Sequence, residues 1–423
     1  MIERVEGHVR VDIEVKPDGK KQVNFCISEG PRLFEGFLKG RKYDEIPFFV
    51  SRICGFCPIV HNLSAIKALE NALNVSPTEQ VLEFRRALNL MELIQSHSVH
   101  LYVMTLPDFA DKKKNLFSIK SRFPKEVKKA IQLRNDVNSL IETLGGRAVH
   151  PLTTRVGGFS KLPTEEEMKE GLERLERMKP LAEDTVDLFA GLDYPDLDLE
   201  TKYLSLGSDD KRYPIYDGYV ISNKSEKFEP EEYPDIIKEE TRPYSTAKFS
   251  TIGGEPFLTG ALSRINLNGD YLTDDARAKM EEMEIDFPSY NPYHNNVAQA
   301  IEIVHSIDEI NKIYKKLLSE ISNKAGILEG DFEKKTEIDI KAGKGTDAVE
   351  APRGTLYHYY ELDENGFVKD IDILTPTAQS AANIELDLNT MLSEMDGLSR
   401  GGRNKKIKSL VRAYDPCVSC AVH

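Results

Sequence analysis

The sequence of 423 residues is poor in the features that mark several large protein classes. It has no apolar run of about 18 residues or more, the length a membrane-spanning helix needs. The greasiest stretch, "IPFFVSRICGFCPIVHNLSAI", is interrupted by Arg52 and His61. The opening "MIERVEGHVR" lacks the apolar segment of a signal peptide. Positive charge is short: a net charge of -14 argues against a nucleic-acid or anionic-membrane partner. Five cysteines do not make a disulfide scaffold in a chain this long, so reduced thiols are expected. Neither a GxGxxG fingerprint nor a P-loop occurs, which excludes the common dinucleotide and phosphate cradles. Internal repeats, low-complexity tracts and linkers are absent too.

What is present is helical periodicity with β excursions. Residues 8–29 alternate around a Pro-Asp-Gly turn, with Val9, Val11, Ile13 and Val15 on one face, and read as a β-hairpin. Ser76-Pro77-Thr78-Glu79 reads as a capping box with proline at the first helical position. Behind it Phe84, Leu88, Met91 and Ile94 make one stripe that runs on to Pro107. Further helices are expected over 124–144, over 164–190 with a kink at Pro180, and over about 297–321. "RGTLYHYYELDENGFVKDIDIL" reads as a second hairpin turning at Asn365-Gly366, and shorter helices follow at about 378–395 and 403–413. The expectation is one α+β, mainly α domain over 1–423, a bundle of long helices with β-hairpin excursions. Its parts are an N-terminal hairpin (1–30), a helical core (about 58–190 and 295–322), an irregular or β insertion (about 193–290), and a C-terminal hairpin with helices (350–423).

Four of the cysteines form two CxxC pairs, Cys54/Cys57 in "RICGFCPIVH" and Cys417/Cys420 in "DPCVSCAVH". Cys26 is left over and reads as a buried free thiol. Two thiols three residues apart in a tight turn can meet one metal. Zinc ribbons keep their pairs roughly 15–20 residues apart in a small module, whereas here they are roughly 360 apart. A structural zinc site, a thioredoxin-like pair and four independent thiols stay open on spacing alone. A four-thiolate site joining the two ends for a soft or borderline metal (nickel, copper(I), zinc or iron) fits best.

The flanking residues narrow this. The two CxxC segments together resemble the paired signatures of the NiFe-hydrogenase large (catalytic) subunit. Further matches follow in chain order: "RVEGH" at 4–8, "SHSVHLY" at 96–102, "GGRAVH" and "VGGF" within 145–159, "APRGTLYH" at 351–358 and "TPTAQ" at 375–379. The resemblance covers nearly the whole chain and is greatest to the cytosolic, soluble, multi-subunit hydrogenases of archaea and bacteria. It implies a cytoplasmic oxidoreductase that cleaves dihydrogen reversibly into protons and electrons. Such chemistry needs a Lewis acid and a base side by side.

By this resemblance Cys54, Cys57, Cys417 and Cys420 all bind nickel, and Cys57 and Cys420 bridge to an iron carrying carbon monoxide and cyanide. Cys417 is the implied first proton acceptor and Glu6 the group that takes the proton from it. Without the motif, Glu6 would be a hairpin carboxylate paired with Arg4. Arg353, after Pro352 in "APRG", is implied to hang over the open metal position, held by Asp108 and Asp415. Thr377 and Pro376 are implied contacts of the cyanides; the chain departs from the family pattern at Ser380, where relatives often have asparagine. His61 is the implied hydrogen-bond partner of a bridging sulfur. His97, His100 and His150 match motifs facing the iron–sulfur small subunit. Glu35 and His423 match the ligands of a separate magnesium (or iron) ion, and an end at His423 reads as the mature form left by a processing protease.

Partners follow from the same reading. With the paired cysteines on nickel, only Cys26 remains, so electrons must leave through a small subunit with its own iron–sulfur cluster. Flavin, nicotinamide or deazaflavin chemistry would belong to further subunits, and assembly would involve nickel-insertion proteins. The competing readings are a non-catalytic complex I-like homologue, which lacks the cysteines, and a zinc-stapled structural protein.

Overall fold

Long helices carry the architecture of the computed structural model, which describes residues 1–18, 20–109, 123–323, 338–395 and 397–423. The N-terminal hairpin pairs β1 (Val9–Val15) with β2 (Lys21–Ile27), Val9 opposite Ile27 and Val15 opposite Lys21. Its turn glycine, Gly19, lies outside the described residues. Of the first strand only the base is in the core: Val9 is buried, but Ile13 and Val15 are exposed, while Val23, Phe25 and Ile27 of β2 are buried. Alternation therefore located the strand and overstated its buried face.

The bundle consists of α1 (Pro58–Leu73), α2 (Glu79–Val99), α3 (Pro124–Gly145), α4 (Glu165–Ala190) and α5 (Asn295–Asn323). Apolar positions from all five share one continuous core, including Leu63, Leu88, Val137, Val186 and Val304. Helix α1 is nearly all buried, with 15 of its side chains inside. That is why it reads as an apolar run rather than a stripe. Two sequence expectations need correction here. The cap of α2 is Thr78, not Ser76, because the Thr78 hydroxyl accepts from the Val81 N–H at 3.4 Å and leaves Pro77 outside the helix. The helix also does not run evenly to Pro107. It ends at Val99, widens into a π turn over His100–Thr105 and tightens over Leu106–Asp108. Helix α4 passes through Pro180 without ending, and its Thr164–Glu167 capping box satisfies two terminal N–H groups reciprocally.

Between α4 and α5, short strands dominate. A four-stranded sheet includes Tyr203–Gly207 and Tyr219–Ser222, and a separate hairpin pairs Ile237–Thr241 with Lys248–Ile252. The C-terminal hairpin is part of a three-stranded antiparallel sheet, β3 (Gly343–Ala351), β4 (Gly354–Leu362) and β5 (Val368–Leu374). Strand β3 is hard to see in "GKGTDAVEA" because its glycines serve close packing on α1. A Cβ on Gly345 would lie 2.0 Å from the Ala68 carbonyl oxygen. Helices α6 (Pro376–Met391) and α7 (Arg400–Ala413) close the chain. No helix among the described residues is long and apolar enough to cross a membrane. The fold is α+β and mainly α, with both chain ends drawn to the inner end of α1.

Candidate metal centre

Cys57 sits just ahead of α1, with Pro58 at the first helical position, and Cys54 lies on the preceding turn. Proline suits that position because its missing N–H is one of the unpaired donors of a helix start. Those that remain, Ile59 N–H and Val60 N–H, donate to the Glu92 carboxylate of α2 at 2.7 and 3.0 Å. Glu92 is fully buried, and burial pushes its carboxyl up to about 8 against the pull of these two N–H donors. At the other end, Cys417 precedes a short helix, Val418–Ala421, too brief to hold itself. It is held from outside. Glu6 forms a parallel bridge to Cys417, its carbonyl accepts from Val418 N–H at 3.1 Å, and Thr377 Oγ1 accepts from Cys417 N–H at 2.9 Å. Gly7 permits this approach: its φ is +83°, and a Cβ there would come 2.6 Å from Val418 Cβ. Arg32 joins the halves, its guanidinium donating to the carbonyls of both Ile53 and Ser419.

The four sulfurs converge. Sγ of Cys54 lies 3.2 Å from that of Cys417, Cys57 lies 3.1 Å from Cys420, and Cys417 lies 2.8 Å from Cys420. All four Sγ atoms lie within 4.8 Å of one another and all four residues are buried. These spacings are far above the roughly 2.05 Å of a disulfide bond, so the thiols are free. Packed together, the four thiols do not give up their protons alike. Hydrogen bonds from Cys417, then Cys420 and Cys57, pull Cys54 well below the ordinary thiol range, while burial first of all drives Cys417 and Cys420 well above it. A soft divalent cation resolves that conflict, since it binds the deprotonated form.

Beside the sulfurs is an internal cavity of ≈ 10 Å³, room for about one water-sized ligand, lined by Cys57, His61, Ala351, Arg353, Leu356, Pro376, Thr377, Cys417 and Cys420. Cys54 is not among its walls. Arg353 enters between β3 and β4. Its Nη2 meets Asp415 Oδ1 at 2.9 Å, its Nε donates to the Asp415 carbonyl at 2.9 Å and its Nη1 to Ser96 Oγ at 3.2 Å. Burial works against its charge, but Asp415 and the neighbouring cysteines outweigh that and hold the guanidinium protonated. Thr377 accepts from Cys417 N–H, so its own hydroxyl hydrogen stays available to an acceptor.

Most of the expected residues meet here, and three do not. Asp108 does not hold Arg353: its carboxylate is bonded by Arg4 at 2.6 Å and by Arg412 at 2.6 and 2.7 Å. The Leu106–Asp108 turn aims it at α7, and among the described residues Asp415 is the carboxylate bonded to Arg353. The pairing of Glu6 with Arg4, the reading without the motif, fails for the same reason. His97 and His100 are also not on a partner-facing surface. They are 0% and 1% exposed, with His97 Nε2 on Glu302 at 2.8 Å and His100 on Gln299 and the Arg412 carbonyl. Their shared helical face points into α5. His150 is partly exposed, with Nδ1 bonded to the Ser51 carbonyl at 2.8 Å. His61 lines the cavity with Cys57 and Cys420, and its Nδ1 meets His358 Nε2 at 3.3 Å.

Two outlying expectations fare as follows. Glu35 and His423 do come together, with His423 Nε2 3.6 Å from Glu35 Oε1. Burial raises the Glu35 carboxyl, and the His423 hydrogen bond and charge more than reverse it. Cys26 is buried and bonds to Asp12, and burial pushes its thiol up to about 11, as suits an inert thiol.

Sequence reasoning missed Arg32, Glu92 and Arg264. Arg264, buried between Glu302 and Glu350, donates to the carbonyls of Ala351 and Pro352 and so fixes the backbone from which Arg353 departs. None carries a local signal; each works through carbonyls or N–H groups far along the chain.

A buried four-thiolate pocket beside a guanidinium, built from both ends of a helical α+β fold, is a site for a soft or borderline metal ion. Residues 32–122 and 209–423 match the family model of nickel-dependent hydrogenases, and the chain belongs to that family. Among its relatives is the sulfhydrogenase 1 alpha subunit of Pyrococcus furiosus, 36% identical over 100% of this chain and 96% of that protein. The sulfhydrogenase 2 alpha subunit of the same organism is 33% identical over 99% and 97%. Among solved structures, an NAD+-reducing NiFe-hydrogenase in its H2-reduced state superposes with a TM-score of 0.87, at 26% identity, covering 100% of this chain and 98% of that one. The protein is therefore the catalytic subunit of a hydrogenase, an oxidoreductase acting on dihydrogen. The complex I-like and zinc-staple readings fall.

Proposed function

We propose that Cys54 and Cys417 are terminal ligands of nickel and that Cys57 and Cys420 are shared with an iron bearing carbon monoxide and cyanide. The observation that carries this is the asymmetry of the pocket. Four sulfurs cluster, and the cavity beside them is walled by Cys57, Cys420 and Cys417 but not by Cys54, with Thr377, Pro376 and Arg353 facing it. A nickel–iron pair bound there supplies the Lewis acidity and the redox change that heterolytic splitting of dihydrogen requires.

The protein's own groups do the rest. Cys417 Sγ accepts the proton, as a thiolate beside a charged guanidinium can. Glu6 takes it onward, its carboxylate being held by bonds from Ser419 N–H at 2.8 Å and the Ser419 hydroxyl. Arg353, locked by Asp415, presents fixed N–H donors to a cyanide and to dihydrogen without any reorganisation at the moment of reaction. The Thr377 hydroxyl offers a further donor. Glu35 and His423 are the residues that would hold a magnesium ion. Electrons pass to an iron–sulfur small subunit, and the complex works in the cytoplasm with further electron-transfer subunits.

Metal analysis with infrared spectroscopy of the purified enzyme tests this. Nickel and iron in equal amounts, with bands of bound carbon monoxide and cyanide, are expected; zinc alone, or no metal-bound diatomics, contradicts it.

A further inference from the structure

A line of three buried polar side chains leads away from the sulfurs. His61, on α1, lines the cavity with Cys57 and Cys420. Its Nδ1 is 3.3 Å from His358 Nε2, and His358 Nδ1 is 2.8 Å from Tyr360 Oη. His358 and Tyr360 stand two apart on β4 and so on one face of the strand. All three are at most 1% exposed. With Nδ1 taken by His358, Nε2 is the ring nitrogen that His61 has left to bond elsewhere.

The direction of the hydrogen bonds along this line can be worked out. Burial drives His358 well below the ordinary histidine range and the Tyr360 hydroxyl well above its own. His358 is thus neutral, with one N–H and one lone pair, and Tyr360 keeps its hydrogen. His358 is the one hydrogen-bond partner of Tyr360 Oη among the described residues. A buried hydroxyl that did not donate would leave its hydrogen unpaired at the full cost of desolvation. Tyr360 therefore donates to His358 Nδ1. His358 must then carry its proton on Nε2 and donate to His61 Nδ1, and His61 in turn carries its proton on Nε2.

We infer that Tyr360 and His358 are positioning residues that lock His61 in one tautomer, so that its ring presents an N–H, not a lone pair, to the sulfurs of Cys57 and Cys420. The consequence for the metals rests on the nickel–iron reading above. A donor aimed at a bridging thiolate withdraws electron density from it and raises the potential of the cluster; a lone pair there would repel the sulfur and weaken the site. Tyr360 touches no reacting atom and acts only through the two rings.

Nitrogen-15 NMR of the assembled, histidine-labelled enzyme in a diamagnetic state reads the tautomers directly, and infrared bands of the iron's diatomic ligands read the electron density. His61 and His358 are expected protonated at Nε2. Tyr360→Phe, which keeps the ring and removes only the donor, is expected to give mixed His61 tautomers and to move the carbon monoxide and cyanide bands to lower frequency. His61 protonated at Nδ1 in the wild type overturns the inference, as does a Tyr360→Phe enzyme unchanged in both spectra. The predicted tautomers in a protein lacking diatomic bands would uphold the lock and sink the nickel–iron reading instead.

Discussion

The two cysteine pairs occupy one site but are held in opposite ways. Cys54 and Cys57 hang from the start of a 16-residue buried helix, whose free N–H groups are taken by Glu92. Cys417 and Cys420 sit on a helical turn of four residues that depends on Glu6, Thr377 and Arg32 for its place. The first pair is part of the core; the second is a latch fitted onto it. Local stability follows packed area and satisfied backbone, so the metal site should come apart from its C-terminal side.

The sharpest way to break the comparison is to remove one sulfur from each half. Cys57→Ser and Cys420→Ser should both abolish nickel retention and hydrogen uptake, as read by metal analysis and dye reduction. Protection of residues 58–73 in hydrogen-exchange mass spectrometry should persist in Cys420→Ser. Equal loosening of both ends in that variant would erase the distinction drawn between them.

Arg353→Lys keeps a cation but loses the fork that binds both the Asp415 carbonyl and its carboxylate. Turnover should fall on the order of 100-fold with metals retained; unchanged kcat would remove Arg353 from the chemistry. Glu6→Gln preserves most of the shape around Ser419 while ending proton acceptance. Hydrogen–deuterium exchange activity is expected to drop by about 100-fold or more, again with nickel and iron in place, and near-normal exchange would exclude this exit.

Thr377→Val orphans the buried Cys417 N–H, a loss of about 1–3 kcal/mol. Faster hydrogen exchange should appear over 415–423 and not over 58–73. Glu92 probes the other half. A carboxyl whose folded value is raised to about 8 adds stability below its ordinary range and loses that contribution as pH rises through 8. The melting temperature of the metal-free protein should therefore fall between about pH 5 and about pH 9 more steeply than that of Glu92→Gln. Parallel profiles would show that Glu92 is ionised throughout.

The clustering of the four cysteines was legible in the sequence because CxxC is a local pattern, and the order of the surrounding motifs tied both pairs to one site. The long helices were legible from their stripes. What could not be read was direction. His97 and His100 announce a shared helical face, but only packing against α5 shows that it points inward, onto Glu302 and Gln299. Asp108 and Asp415 are both acidic residues beside proline. Which one meets Arg353 is decided by Arg4 and Arg412, which claim Asp108. Glu92 in "LMELIQ" looks like any helical glutamate, and its function appears only when α1 starts against it. Strand β3 hid because its glycines answer to the backbone of a helix some 270 residues away.

X-ray absorption at the nickel edge of the purified enzyme reaches the heart of the account. Sulfur scatterers filling nickel's coordination shell, with an iron neighbour beyond, are expected, and Cys54→Ser or Cys417→Ser should each remove one sulfur from any nickel that remains. A shell of nitrogen and oxygen, or a protein that purifies active without nickel, would show that these two chain ends meet for some other purpose.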